Sequence, residues 1–164
     1  MTKVFILGAV RTPIGKFGGS LAGMTAADLG VVAAKAALER AGVRPEQVQE
    51  SIFGNARQAG GGPNVARQIS IRSGVPQESP AYTVNMACAS GLKSIALAYE
   101  EIANGNLQCV LAGGTESMSR LPFYLDARWG LRLGNHELVD GMYRDGFFCP
   151  MSQMVMGETA EVLA

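Results

Sequence analysis

Between Val4 and Ala112 the apolar residues keep switching between two periods, which predicts strands interleaved with helices. Val4–Ala9 is a continuous apolar run, as a strand covered on both faces requires. Thr25 and Asp28 form a capping pair for the helix that follows. Leu29, Val32, Ala33, Ala36 and Ala37 then take the i, i+3, i+4, i+7, i+8 spacing of one buried face, and Gly42 with Pro45 stop the helix. A second strand is expected at about Glu50–Asn55. Asn64, as N-cap, opens a second helix that turns Val65, Ala66 and Ile69 inward and ends near Gly74. Tyr82, Thr83 and Val84 are strand formers. From Leu92 the period changes: Leu92, Ile95, Ala96, Tyr99, Ile102 and Ala103 predict a third helix ending at Asn104-Gly105. A fourth strand, Leu107–Ala112, closes the series.

Strands alternating with helices imply right-handed crossovers, hence an α/β fold with a mainly parallel sheet covered by helices on both faces. Ligands on such sheets sit beyond the carboxyl ends of the strands. Cys88, Gly113 and Gly114 all lie just past predicted strand ends, so one edge of the sheet is the expected site. After Ser119 the alternation is poor and helical spacing brief. The segment carries Pro122, Trp129, Gly130, Gly134, Gly141, Gly146 and Pro150, with four of the eight methionines. Residues 1–119 therefore read as one domain and 120–164 as the start of a separate, loop-rich one.

Composition narrows the class. The chain of 164 residues is 48% hydrophobic and 17% charged, which is globular. Fourteen basic and fourteen acidic side chains cancel, so no basic field recruits nucleic acid or anionic lipid. No stretch approaches the ~20 apolar residues of a membrane span. Val4–Val10 runs straight into Arg11-Thr12-Pro13 without a small-residue cleavage site, so it reads as a buried strand rather than a signal segment. Three cysteines without paired spacing point to free thiols in a reducing, cytoplasmic setting. Gly60-Gly61-Gly62 lacks the Lys-Ser/Thr of a phosphate loop, and no C-x-x-C, H-E-x-x-H or G-x-S-x-G occurs. No metal or redox cofactor is implied.

The candidate nucleophile is Cys88, where the third strand gives way to the third helix. There a thiol lies beside the unpaired N–H groups of a first helical turn, where the macrodipole favours negative charge. Ser90 and Gly91 are small enough to admit a substrate. A free thiol is only about 3% thiolate at neutral pH. A helix terminus contributes ~2 kcal/mol at best, so a base or cation from elsewhere must assist. Glu116 fits a structural hydrogen-bonding role better than that of a base, and Gly113-Gly114 fits either a close backbone approach or a tight strand-end turn. Cys109 is expected in the core, Cys149 in a loop, and His136, the one histidine, in solvent.

The segment N-M-A-C-A-S-G-L-K-S around Cys88 resembles the nucleophile motif of the thiolases, which make and cleave 3-ketoacyl-CoA thioesters. Three more segments agree in order: R-T-P-I-G-K-F-G-G-S-L at Arg11–Leu21, I-F-G-N-A-R-Q-A-G at Ile52–Gly60 and A-G-G-T-E-S-M-S at Ala112–Ser119. M-G-E-T-A-E at Met156–Glu161 is a weaker echo. The resemblance implies that Cys88 takes the acyl group as a thioester, with its backbone N–H as one oxyanion donor. It implies coenzyme A thioesters as substrates, no cofactor, and a homodimer or homotetramer. Val155 and Met156 match positions at the acyl pocket. Arg11, Asn55, Gln58 and Arg67 match positions near a dimer interface or sheet edge. The family's histidine, asparagine and second cysteine belong to a C-terminal half, whose Gly-His-Pro and Cys-Gly-Gly motifs are not among these residues, so a further chain segment or a partner chain is expected to supply them. β-Ketoacyl synthases share the fold and a cysteine at the same junction, but Thr115–Ser119 and Arg11–Leu21 favour thiolase. A non-catalytic, truncated or split half is the remaining alternative.

Overall fold

A computed structural model describes residues 3–164. They form two compact units, one up to Arg120 and one from Leu121.

The first unit is built on a parallel sheet in the order β2-β1-β3, with β1 at Glu50–Gly54, β2 at Ala81–Val84 and β3 at Val110–Gly114. Phe53 pairs with Thr83 on one side and Gly113 on the other. Helices α1 (Ala26–Ala41), α2 (Val65–Arg72) and α3 (Ser90–Ala103) connect and cover the strands. Successive residues of β1 face opposite ways. The Ser51 hydroxyl donates to Ser70 of α2 at 3.1 Å, and Phe53 joins a core with Val31 and Leu38 of α1 and Ile69 of α2. Gly54 points the other way, onto the start of α3. Helices thus cover both faces, as the alternation of periods implied.

The capping signals are realised. The Thr25 hydroxyl accepts from Asp28 N at 3.1 Å, the Asp28 carboxylate accepts from Thr25 N at 2.9 Å, and Asn64 caps α2 by accepting from Arg67 N. The buried face of α1 differs from expectation. It is Ala27, Gly30, Val31, Ala34 and Leu38, while Val32 and Ala36 are exposed. The cause is Gly30, where a Cβ would stand 2.3 Å from Ile69 Cδ1. Small residues let the two helices close together, so the closest-packing face wins over the most apolar one. Helix α3 repeats the pattern: Ser90, Ser94 and Ala98 are buried, whereas Leu92, Ile95 and Tyr99 point outward.

The expected first strand is a further correction. Val4–Ala9 forms no strand, and Phe5, Ile6 and Leu7 are 72%, 79% and 63% exposed. The segment runs past the end of α1, where Arg40 donates to the Ala9 carbonyl at 2.8 Å. An apolar run reports a demand for burial, but a strand also needs a ladder partner, and among the described residues none pairs with it. The sheet therefore has three strands, and its last begins at Val110 rather than Leu107, leaving Cys109 partly buried against the core.

The second unit contains more regular structure than its sequence suggested. β4 (Phe123–Tyr124) pairs antiparallel with β5 (Val139–Asp140), and β6 (Phe148–Cys149) with β7 (Met154–Val155); a π-helical turn spans Tyr143–Phe147 and α4 spans Met156–Leu163. Strands of two residues cannot display a period of two, so they escape pattern reading. Arg144 stacks 3.9 Å above the Tyr124 ring, whose hydroxyl donates to Asp145 at 2.6 Å. No helix among the described residues is long and apolar enough to cross a membrane.

Asp28 links the α1 cap to α2, since its second oxygen pairs with Arg72 at 2.6 Å. Hydrogen bonding from Thr25 and then from Arg72 holds its carboxyl at about 2, below the ordinary 3.8. A carboxyl lowered on folding stabilises fully above 3.8, and that contribution disappears as pH falls through about 2. Asp28→Asn should lower stability by about 1 kcal/mol at pH 6, as typical cap losses do. Denaturation series of both proteins should converge as the pH drops from about 4 toward 2. An unchanged gap at the acid end would contradict the assignment.

Candidate functional site

The chain leaves β2 at Val84, turns through residues 85–89 and enters α3 at Ser90. Cys88 sits in that turn, exposed, one residue before the N-cap Ala89. Alanine offers no side-chain cap, so no side chain competes for the first-turn N–H groups. The turn requires Ala87 in the left-handed region at φ +48°, a conformation costing a residue with a Cβ roughly 1–2 kcal/mol. Several hydrogen bonds offset that cost. Asn85 Oδ1 accepts from Ala87 N at 3.0 Å. Ser90 Oγ accepts from Met86 N at 2.8 Å and donates to the Ala87 carbonyl at 2.6 Å. Ser90 is therefore a buried staple of the turn, where the sequence had suggested only a small residue clearing space. Donors in the turn, among the described residues, are the amides of Met86, Ala87, Ala89 and Ser90; that of Cys88 is not among them.

Glycines set the height of this turn. A Cβ on Gly54 would lie 2.3 Å from the Ser90 carbonyl carbon and 2.5 Å from Gly91 N, and one on Gly114 would lie 3.0 Å from Gly91 Cα. The first turn of α3 thus rests on the carboxyl ends of β1 and β3. Ser94 Oγ lies 2.6 Å from the Gly113 carbonyl oxygen and holds the next turn down. Gly113 serves the opposite face, where a Cβ would meet the Phe53 ring at 2.8 Å. Both glycines of the pair are packing positions.

Glu116 makes the hydrogen-bonding role expected of it. Its carboxylate accepts from Asn55 Nδ2 at 2.7 Å, Ala56 N at 3.0 Å and Arg57 N at 3.2 Å. Asn55 is buried and also donates to the Thr115 carbonyl at 2.9 Å, while Gln58 Nε2 donates to the Asn55 carbonyl at 3.2 Å. Arg67 donates to the carbonyls of Ser79 and Gln77 at 2.8 and 2.7 Å, and Arg11 is exposed. Asn85 escaped the sequence reading. Its role rests on the left-handed conformation of Ala87 two positions on, which the sequence does not announce.

The remaining candidates separate by environment. Burial pushes the Cys109 thiol up. The Cys149 thiol is drawn down by the nearby Ser152 hydroxyl first, then by the backbone of Ser152 and Met151. His136 is exposed, with Nε2 3.1 Å from the Arg132 carbonyl oxygen. Val155, in β7, donates its N–H to Glu158 at 2.9 Å, and Met156 begins α4 half exposed rather than packed in a core. Cys149, His136, Val155 and Met156 all belong to the second unit. Among the described residues no group of three His, Cys, Asp or Glu side chains could hold a metal ion.

Cys88 is thus an exposed thiol on a strand-to-helix turn at the carboxyl edge of a parallel sheet, the edge at which ligands of such sheets bind. The family model described as "Thiolase, N-terminal domain" matches residues 4–164, and the chain belongs to the thiolase family. It is 51% identical over its whole length to an acetyl-CoA acetyltransferase of Cupriavidus necator and 48% identical to one of Escherichia coli, covering 42% of each. The structure superposes with a TM-score of 0.93 on the crystal structure of Acat5 thiolase from Ascaris suum in complex with coenzyme A, at 41% identity, covering 97% of this chain and 41% of that one. The chain therefore spans less than half the length of these relatives.

The glycine seat makes a direct prediction. Gly54→Ala should destabilise the protein by roughly 1–3 kcal/mol, the range for overpacking, because the atoms it meets are backbone. Gly114→Ala, with its looser contact, should cost less. Urea unfolding of both variants checks the order; a neutral Gly54→Ala would show that α3 does not rest on β1.

Proposed function

We propose that these residues form the nucleophile-bearing part of a thiolase, exchanging acyl-CoA plus acetyl-CoA with 3-ketoacyl-CoA plus CoA. The observation that carries the reading is Cys88, an exposed thiol at the uncapped start of α3 in a chain of this family. In the cleavage direction Cys88 Sγ attacks the 3-keto carbon of the ketoacyl thioester. The bond to the adjacent carbon breaks, and its electron pair leaves on an acetyl-CoA enolate that takes up a proton. CoA thiolate then attacks the acyl-cysteine and releases acyl-CoA and the free thiolate. The Cys88 N–H is one donor for the oxyanion formed at each addition. Val155 and Met156 line the acyl pocket in this proposal. No cofactor takes part.

The reaction needs proton transfers that the first unit does not supply, since Glu116 is engaged by three donors. A C-terminal half, in the same polypeptide or a partner, completes the site. Assembly as a dimer or tetramer in the cytoplasm is part of the same reading. The outward Leu92, Ile95 and Tyr99 supply apolar surface for such contacts, and sedimentation reports the assembly directly.

Residues 1–164 alone should be acylated at Cys88 only slowly and fail to turn over. Each missing acid–base group is worth about 10²–10⁴ in rate, so losing two places turnover below detection. The assay is CoA-dependent loss of acetoacetyl-CoA by the purified chain. Robust turnover abolished by Cys88→Ala would overturn the half-site reading and direct attention to His136 and Cys149.

A further inference from the structure

The hydrogen bonds around Glu116 continue further than its own loop. Its carboxylate holds the amides of Ala56 and Arg57, the first residues beyond β1 and Asn55. The Ala56 carbonyl in turn accepts from Asn85 Nδ2 at 3.0 Å. The other end of the same Asn85 amide, Oδ1, accepts from Ala87 N at 3.0 Å. Ala87 is the left-handed residue immediately before Cys88. One carboxylate after β3, one loop after β1 and one side chain after β2 therefore form a continuous path across all three strand ends to the nucleophile's turn.

We propose that Glu116 and Asn85 are positioning residues, which hold the loop at 56–57 as a fixed anchor and through it keep Cys88 at the start of α3. The proposal rests on Cys88 being the nucleophile. Two features favour positioning over simple loop stabilisation. A non-glycine residue at positive φ persists only where its surroundings over-determine it, and Asn85 contacts that residue directly. Glu116 accepts three hydrogen bonds at once, two of them from consecutive backbone amides of the 56–57 loop, so the anchor is fixed at several points. Asn85 is exposed and contributes nothing to the core, yet it joins the two loops by both ends of its amide.

The test uses iodoacetamide on the intact chain, with peptide mapping of Cys88 and Cys149 across a pH series. Asn85→Asp keeps the oxygen that accepts from Ala87 N but replaces the donor to Ala56 with a second oxygen. Glu116→Gln places an NH2 against backbone amides. Each should slow Cys88 alkylation about tenfold, the equivalent of one lost hydrogen bond, and displace its pH–rate profile to higher pH. Cys149, in the other unit, should keep its rate and profile. The double variant should be no slower than the slower single, because both act through one path. Unchanged Cys88 kinetics in folded Asn85→Asp, or single effects that multiply in the double, would overturn the proposal. If Glu116→Gln unfolds, the surface variant Asn85→Asp alone decides it. Exposure to acetyl-CoA separates this from the functional reading: a wild-type Cys88 that alkylates readily but never acetylates counts against the thiolase reaction, while leaving the positioning result readable.

Discussion

The seating of the Ser90–Gly91 backbone on Gly54 is the contact on which the arrangement of the first unit depends. Any side chain at residue 54 would meet carbonyl and amide atoms of α3 at 2.3–2.5 Å, and backbone cannot give way as a flexible side chain can. Because that contact is made, α3 begins directly over the carboxyl ends of β1 and β3. Cys88, two residues before it, is held at the sheet edge and exposed there. The same closeness selects the buried face of α3. Ser94 and Ala98 fit between helix and sheet, and the bulkier Leu92, Ile95 and Tyr99 are turned out.

A second constraint is polar. The chain crosses the sheet edge three times in non-repetitive conformations, and each crossing leaves backbone groups to satisfy. Short side chains meet that demand. Asn55 and Glu116 serve the exits of β1 and β3, the Thr115 hydroxyl donates to the Ala26 carbonyl at 2.6 Å, and that of Ser117 to Met24 at 2.6 Å. The motifs around residues 52–60 and 112–119 thus have a common physical purpose. They hold the strand ends in place beneath the turn that carries the thiol.

What the sequence made legible follows the same division. Strands β1 and β2, the three helices and both caps were readable because period, capping residues and stop signals agreed with one another. Cys88 was readable because its position between two periods marks the strand-to-helix turn. The buried face of α1 departs from its apolar positions because Gly30, which carries no hydrophobic signal, admits Ile69. The apolar run Val4–Ala9 signals a demand for burial but names no partner strand. Asn85 and the purpose of Ser90 were invisible for another reason. Their contacts run between a turn, a loop and a helix start, and no linear spacing encodes such a meeting. The two-residue strands of the second unit are too short to leave a period at all.

Cys88 is proposed to accept an acyl group because of where the fold places it. The direct measurement is peptide mapping by mass spectrometry after the purified chain is incubated with acetyl-CoA and quenched in acid. An acetyl increment on the peptide bearing Cys88, removed by added CoA and absent from the peptides bearing Cys109 and Cys149, is the result predicted. Acetylation of Cys149 in preference to Cys88, or an adduct on Cys88 that free CoA cannot reverse, would contradict it.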